Sequence, residues 1–183
     1  MAIRVHKTEL EGLLTIHPQV HGDSRGFFME TYRLNDLQAA TGSDKPFVQG
    51  NHSRSTKNVL RGLHAEPWDK LIYIPHGSVC TAIADLRPDS RTFGKAEAFL
   101  LGDHDEQRRL LYIPNGCAHG FCVLSDSVDY TYLCTEYYTG QPKKAVAWND
   151  PDLKIIWPIA EPLLSDADKK NPTLRQLFPE KFQ

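Results

Sequence analysis

The chain has 183 residues, 40% of them hydrophobic and 24% charged, with a formal net charge of −2 at neutral pH. That length is enough for one unit with a sizeable core, and the balance is that of a globular protein rather than a disordered or fibrous one. The small net charge excludes a global pull on nucleic acid or an anionic membrane, so cations that serve an anionic ligand must be placed locally.

The opening stretch, MAIRVHKTELEGLLTIHP, is too polar for a signal peptide, and no apolar run approaches the ~18 residues of a membrane span. The expected location is the cytoplasm. Short β-like runs then follow over 13–18, 26–32, 46–53, 69–75, 78–86, 96–101, 110–114, 118–124, 129–135 and 144–148. They are punctuated by HGDSRG, PHGS, RPDSRTFG, PNG, SDS and YTGQP, which are turn compositions. Helical signals are confined to 33–41 and the C-terminal LLSDADKKNPTLRQLF. Many short strands at this spacing predict an all-β sandwich or barrel with short peripheral helices. IPHG at 74–77 and IPNG at 113–116 echo each other, each setting Pro and Gly at a sharp turn after an apolar strand. A double-sheet jelly roll turns its chain in this way. The cysteines, Cys80, Cys117, Cys122 and Cys134, form no CxxC pair and read as buried thiols.

Alternation assigns faces. Gln49, Asn51, Ser53 and Ser55 fall on one side of their strand. Val79, Thr81 and Ile83 oppose Cys80, Ala82 and Ala84, and Tyr130, Tyr132 and Cys134 lie together. Such strands can line a cavity between sheets.

The stretch VLRGLHAEPWDKLIYI, 59–74, places Arg61, His64 and Lys70 in an otherwise apolar setting. A lone histidine is more often a satisfied core residue than a functional one. This one has company: His119 follows the second Pro/Gly turn, and Asp166 and Asp168 are available from the C-terminal segment. On a regular strand Arg61 and His64 point to opposite faces, so a shared pocket requires an extra residue between them, with Gly62 the natural place for a bulge. A metal site of His64, Glu66 and His119 is an alternative, although no His-x-His pair exists. Arg25 lies in a turn ahead of two aromatics and Glu30, and a guanidinium fork there matches a pair of phosphate oxygens. Tyr132, Tyr137 and Tyr138 are core aromatics or pocket phenols. No Gly-rich phosphate loop, dinucleotide fingerprint or nucleophile elbow is present.

The segments DSRGFFME, FVQGNHSRS, VLRGLH, ADLRPDSRTFG, YIPNGCAHGF, YLCTEYY and WNDPDLKIIWP occur in this order over roughly 15–170. In these the chain resembles the dTDP-4-dehydrorhamnose 3,5-epimerase family. The resemblance implies a cupin-like jelly roll spanning 1–183, a homodimer with exchanged N-terminal strands, and neither metal nor organic cofactor. It implies a nucleoside-diphospho-4-keto-6-deoxyhexose as substrate, epimerised at C3, C5 or both. By motif, His64 is similar to the family's general base, and the LS-x-x-D pattern selects Asp168 over Asp166 as its partner. Tyr132 resembles the proton donor and Lys70 the lysine near the ketone oxygen. Arg25 and Arg61 resemble diphosphate ligands, Arg25 reaching across from a partner subunit. Phe27, Glu30, Gln49, Asn51, His119 and Tyr138 resemble nucleotide or sugar contacts. The chain departs from the pattern in one place: only AEPWD separates His64 from Lys70, several residues fewer than is usual, which brings Glu66 and Trp68 toward the sugar end. A 3,4-ketoisomerase, a sugar-nucleotide-binding protein without turnover and a metal-dependent cupin enzyme are the competing readings.

Overall fold

The computed structural model describes residues 3–140 and 144–182. Among these residues thirteen strands and two short α-helices follow one another: β1 (Arg4–Lys7), β2 (Leu14–His17), β3 (Val20–Asp23), β4 (Gly26–Met29), α1 (Leu34–Thr41), β5 (Gln49–Thr56), β6 (Leu60–Ala65), β7 (Lys70–His76), β8 (Ser78–Asp85), β9 (Ala96–Gly102), β10 (Leu110–Ile113), β11 (Cys117–Val123), β12 (Ser127–Cys134), β13 (Lys144–Ala145) and α2 (Leu174–Leu177). A six-stranded sheet runs β1-β2-β10-β7-β12-β5, a five-stranded sheet runs β13-β6-β11-β8-β9, and β3 and β4 form a separate hairpin. The paired strands of all three are antiparallel. This is the jelly roll the turn spacing predicts.

Alternation decides which side chains meet. Ile72, Ile74, Val79, Ile83, Leu111, Phe121, Val123 and Tyr130 form the core between the two sheets. The outward face of β8 is small and apolar because Ala82 and Ala84 must accept Leu153, Leu174 and Phe178 from the C-terminal segment. The outward face of the six-stranded sheet, Leu14, Ile16, Leu71 and Leu110, is covered by Leu37 of α1. All four cysteines are buried.

The IPHG and IPNG turns are two of the corners at which the chain passes from the six-stranded to the five-stranded sheet, β7 to β8 and β10 to β11. Both end on a glycine with positive φ, Gly77 at 83° and Gly116 at 86°.

Expectation and structure differ in places. β1, β3 and β6 are absent from the expected strands. β1 and β3 are exposed and polar, so they carry no apolar alternation to read. β6 hides because it contains the bulge. His64 lies opposite His119 and Arg61 opposite Phe121, so two residues of β6 face the single Gly120. The extra residue brings Gly62 and Leu63 into consecutive buried positions and breaks the period of two. Gly62 has φ 127°, and a Cβ there would lie 2.5 Å from the Gly120 Cα. The run expected over 26–32 ends at Met29. The C-terminal helical signal yields only a 3-10 turn at Asp168–Lys170 and α2, and a second 3-10 turn follows it at Pro179–Lys181. The YTGQP turn lies partly outside the described residues.

Candidate active site

The bulge in β6 has the consequence the pleat argument requires: Arg61 and His64 both line one cavity between the sheets. The cavity encloses about 310 Å³. The five-stranded side supplies Arg61, His64 and His119, and the six-stranded side supplies Asn51, Ser53 and Tyr132, with Glu66 also in the wall. His119 is set directly opposite His64 by the β6–β11 pairing. Tyr132 is set opposite Asn51 by β12–β5 and opposite Ile72 by β12–β7. Strand register therefore places imidazole and phenol on the walls of one chamber.

His64 Nε2 lies 2.6 Å from Asp168 Oδ1. The carboxylate only accepts, so Nε2 carries the proton and the neutral ring holds its lone pair on Nδ1. Asp168 is buried and is held by the Gly62 N–H at 3.5 Å and by the Asn171 amide at 3.4 Å. Burial pushes its carboxyl up, but hydrogen bonding and attraction to His64, with help from Ser165 and the Gly62 N–H, bring it below the ordinary carboxylate range. Asp166 is exposed and pairs with Lys169 at 3.1 Å. Of the two aspartates, Asp168 is the one hydrogen-bonded to His64.

A larger space of about 600 Å³ is lined by Leu60, Ala145, Leu163, Leu164 and Asp168 and shares Arg61 and His64. It has the dyad's carboxylate but neither Tyr132 nor His119, so the smaller chamber is the one equipped to move protons. His64 lines both.

The Tyr132 phenol is pushed up to about 12, by burial first and then by Cys134 and Glu66 nearby. It remains a proton donor throughout the neutral range. Its ring centroid is 6.2 Å from that of His119. Lys70 is almost wholly buried and stands behind the wall rather than in it. Its ammonium is paired with the Glu66 carboxylate and lies 2.8 Å from His119 Nδ1. Among the described residues no three His, Cys, Asp or Glu side chains group to hold a metal ion. Within the set His64, Glu66 and His119, both Glu66 and His119 already engage this ammonium.

The remaining sequence candidates divide. Asn51 lines the chamber and accepts from Gln49 Nε2 at 2.9 Å, and Gln49 Oε1 accepts the Tyr138 N–H at 2.9 Å. Gln49 and Tyr138 thus stand next to the wall. Trp68 is buried edge-on against Tyr138 at 6.4 Å and does not line the chamber, whereas Glu66 does. Arg61 lines it and donates to Ser55 Oγ at 3.0 Å. Arg25, Phe27 and Glu30 are not in the chamber wall. Arg25, with its side chain 88% exposed, pairs with Asp23 at 2.6 Å on the β3–β4 hairpin. Phe27 is exposed beneath the Arg108 guanidinium, 4.3 Å from the ring centre, and Glu30 pairs with Arg33 at 2.7 Å. Ser53 was legible from its alternation with Asn51 but was not singled out. The Gly62 N–H and the Asn171 amide that hold Asp168 left no trace in the sequence.

The family model for dTDP-4-dehydrorhamnose 3,5-epimerase matches residues 7–176. A dTDP-4-dehydrorhamnose 3,5-epimerase of Shigella flexneri is 44% identical over 170 residues, covering 91% of this chain and 93% of its own. The solved dTDP-6-deoxy-D-glucose-3,5-epimerase of Legionella pneumophila, in complex with dTDP-4-keto-L-rhamnose, is 37% identical and superimposes with a TM-score of 0.90, covering 97% of this chain and 96% of its own. A 3'-monoepimerase of Streptomyces bikiniensis, in complex with dTDP-quinovose, is 32% identical with a TM-score of 0.88, covering 96% and 90%. With sequence, fold and family model in agreement over nearly the whole chain, the protein belongs to the dTDP-4-dehydrorhamnose 3,5-epimerase family and is an isomerase of the epimerase class.

Proposed function

We propose that the protein epimerises a dTDP-linked 4-keto-6-deoxyhexose at C3, C5 or both, by removing a proton beside the ketone and returning one to the opposite face. One observation carries this reading: His64, hydrogen-bonded to Asp168, and the Tyr132 phenol line the same chamber. A carbon-bound proton beside a ketone is acidic because the resulting charge spreads onto oxygen, so the enzyme must take the proton and stabilise an enolate. The Nδ1 lone pair of His64 takes the proton. Asp168 fixes the tautomer and stabilises the imidazolium that forms, the orienting role of the acid in other His–Asp pairs. Tyr132, held protonated by its surroundings, returns a proton across the ring. A donor opposite the base favours inversion over a 3,4-ketoisomerisation, which shuttles a proton along one face. Turnover needs this base, its acid and the phenol together, whereas a binding protein does not.

Arg61 serves the diphosphate from within the chain. Arg25, Phe27 and Glu30 serve it and the base from a second subunit, in a homodimer that exchanges N-terminal strands. The exposure of Arg25, Phe27 and Phe28 on a hairpin paired with neither large sheet supports this. Residues 1–183 act as one jelly-roll domain in the cytoplasm, without cofactor or metal; among the described residues no helix is long and apolar enough to cross a membrane. NMR in deuterated water with a panel of dTDP-4-keto sugars tests the reading. Deuterium should enter at C3, C5 or both with inversion, and failure to exchange at either carbon across the panel would overturn it.

A further inference from the structure

We propose that Arg4, His6, His17 and Arg109 form a second anion site, which takes a phosphate group on the flank of the six-stranded sheet away from the chamber. Strand register assembles it. β1 sets Arg4 opposite His17 and His6 opposite Thr15. On the other side of β2, β10 sets Leu110 opposite Ile16 and Leu111 opposite Thr15. Arg109, the residue before β10, carries that register on to His17. Ile16 belongs to the outer layer under α1 and Leu111 to the core between the sheets. Alternation therefore turns Thr15 and His17 to the inner face, with Arg4, His6 and Arg109 beside them. β1, β2 and β10 form one flank of the sheet, whereas β12 and β5, which wall the chamber, form the other. β2 ends on His17 and β3 begins at Val20, so the site lies at the root of the β3–β4 hairpin.

The His6 and His17 rings meet edge-on with centroids 5.1 Å apart, and His17 Nε2 is 3.3 Å from Thr15 Oγ1. The Arg109 guanidinium lies 5.9 Å from the Phe99 ring centre and donates to the Leu100 carbonyl at 3.0 Å, while its Nε is buried with no partner among the described residues. None of the ion pairs among the described residues involves any of the four. Burial, and then His6, Arg109 and Arg4, hold the His17 imidazole below its ordinary range, and every charge acting on it is cationic. The acid on β9, Glu97, accepts the Glu9 N–H at 2.6 Å and is not among those charges. Like charges at opposed positions destabilise a sheet, so an Arg–His–Arg row across three strands favours an anion within it. Strands ~4.8 Å apart root Arg4 and Arg109 roughly 10 Å from one another, a gap that two long side chains close around one small ion. A carboxylate has oxygens for one guanidinium fork. A phosphate has enough for both and for the imidazole between them.

The test is nitrogen-15 NMR of full-length histidine-labelled protein, with dTDP saturating the chamber and ionic strength held constant. Inorganic phosphate should shift the His6 and His17 signals saturably and move the His17 titration to higher pH, because a bound anion favours the protonated ring. Sulfate, whose charge is fixed across this range, isolates the imidazole's part and should bind ~10-fold tighter at pH 6 than at pH 8. Arg4→Gln removes one exposed cation and should weaken phosphate ~5–10-fold, and Arg4→Lys should recover part of the loss. Phosphate should also raise the unfolding temperature of the wild type more than that of Arg4→Gln. Excess dTDP tested without phosphate separates the sources: a second, weaker event at His17 identifies a nucleotide's phosphate as an occupant, and its absence beside a phosphate response identifies the free ion. No saturable shift with either phosphate or sulfate overturns the proposal. So does a response in Arg4→Gln equal to the wild type, or a sulfate affinity that ignores pH. None of these outcomes depends on turnover, so the epimerase reading stands or falls separately.

Discussion

The chamber and the β3–β4 hairpin are built on opposite plans. In the chamber, His64, His119 and Tyr132 stand on strands whose partners fix them on both sides, and Asp168 is pinned by three donors. On the hairpin, Phe27 stands on a two-stranded sheet and Arg25 in its turn, both exposed, with Asp23 beside Arg25 and Arg108 over Phe27. Proton-moving groups must be held within tenths of an ångström and screened from water, which a close-packed ladder provides. Groups that grip a charged diphosphate tolerate solvent and movement, and an isolated two-stranded hairpin is marginally stable until something packs on it. On the proposed function, chemistry resides in the part of the subunit held by the large sheets and anchoring in the hairpin that a second subunit would cover.

The sharpest way to break this contrast is to remove the base. His64→Ala should lower solvent exchange by ~10³-fold or more while dTDP binding, measured by calorimetry, stays near wild type. If binding fell equally, chamber and anchor would not be separable. Asp168→Asn should cost ~10²–10⁴-fold in turnover by misdirecting the His64 tautomer, with Asp166→Asn near wild type. The same pair tests stability. A carboxyl held below its ordinary range stabilises the fold fully above that range and loses the contribution as pH falls through its lowered value. Acid unfolding should therefore be steeper in the wild type than in Asp168→Asn.

Tyr132→Phe sharpens the contrast inside the chamber. Deuterium should still wash in through His64, while inverted product falls ~10²–10³-fold, as read by NMR of product stereochemistry. Because the phenol is pushed up to about 12, its ionisation should leave no alkaline limb in the pH profile below that value. The smallest effect is expected on the hairpin. Arg25→Ala should weaken dTDP binding ~10–100-fold with kcat changed far less. In mixed dimers pairing Arg25→Ala with His64→Ala subunits, one site of two should recover if Arg25 acts across the interface. Recovery of neither site would confine Arg25 to its own subunit.

Local composition alone determined that the chain forms short strands separated by Pro/Gly corners, because turn residues and the period of two are properties of adjacent positions. The IPHG and IPNG corners, the face shared by Asn51 and Ser53, and the need for a bulge at Gly62 were all legible in this way. So were the motifs that mark the family and single out His64, Tyr132 and Asp168. The tertiary structure decided what depends on groups far apart in the chain. It bonded Asp168 to a histidine 104 positions away, through a C-terminal segment that reads as helix but forms only a 3-10 turn and the four-residue α2, with Leu174 and Phe178 packed on the β8 face. It withdrew Lys70 behind His119 and paired it with Glu66, and it left Arg25, Phe27 and Glu30 outside the chamber. Burial and charge pairing are sums over neighbours brought together by folding, and no window of adjacent residues contains them.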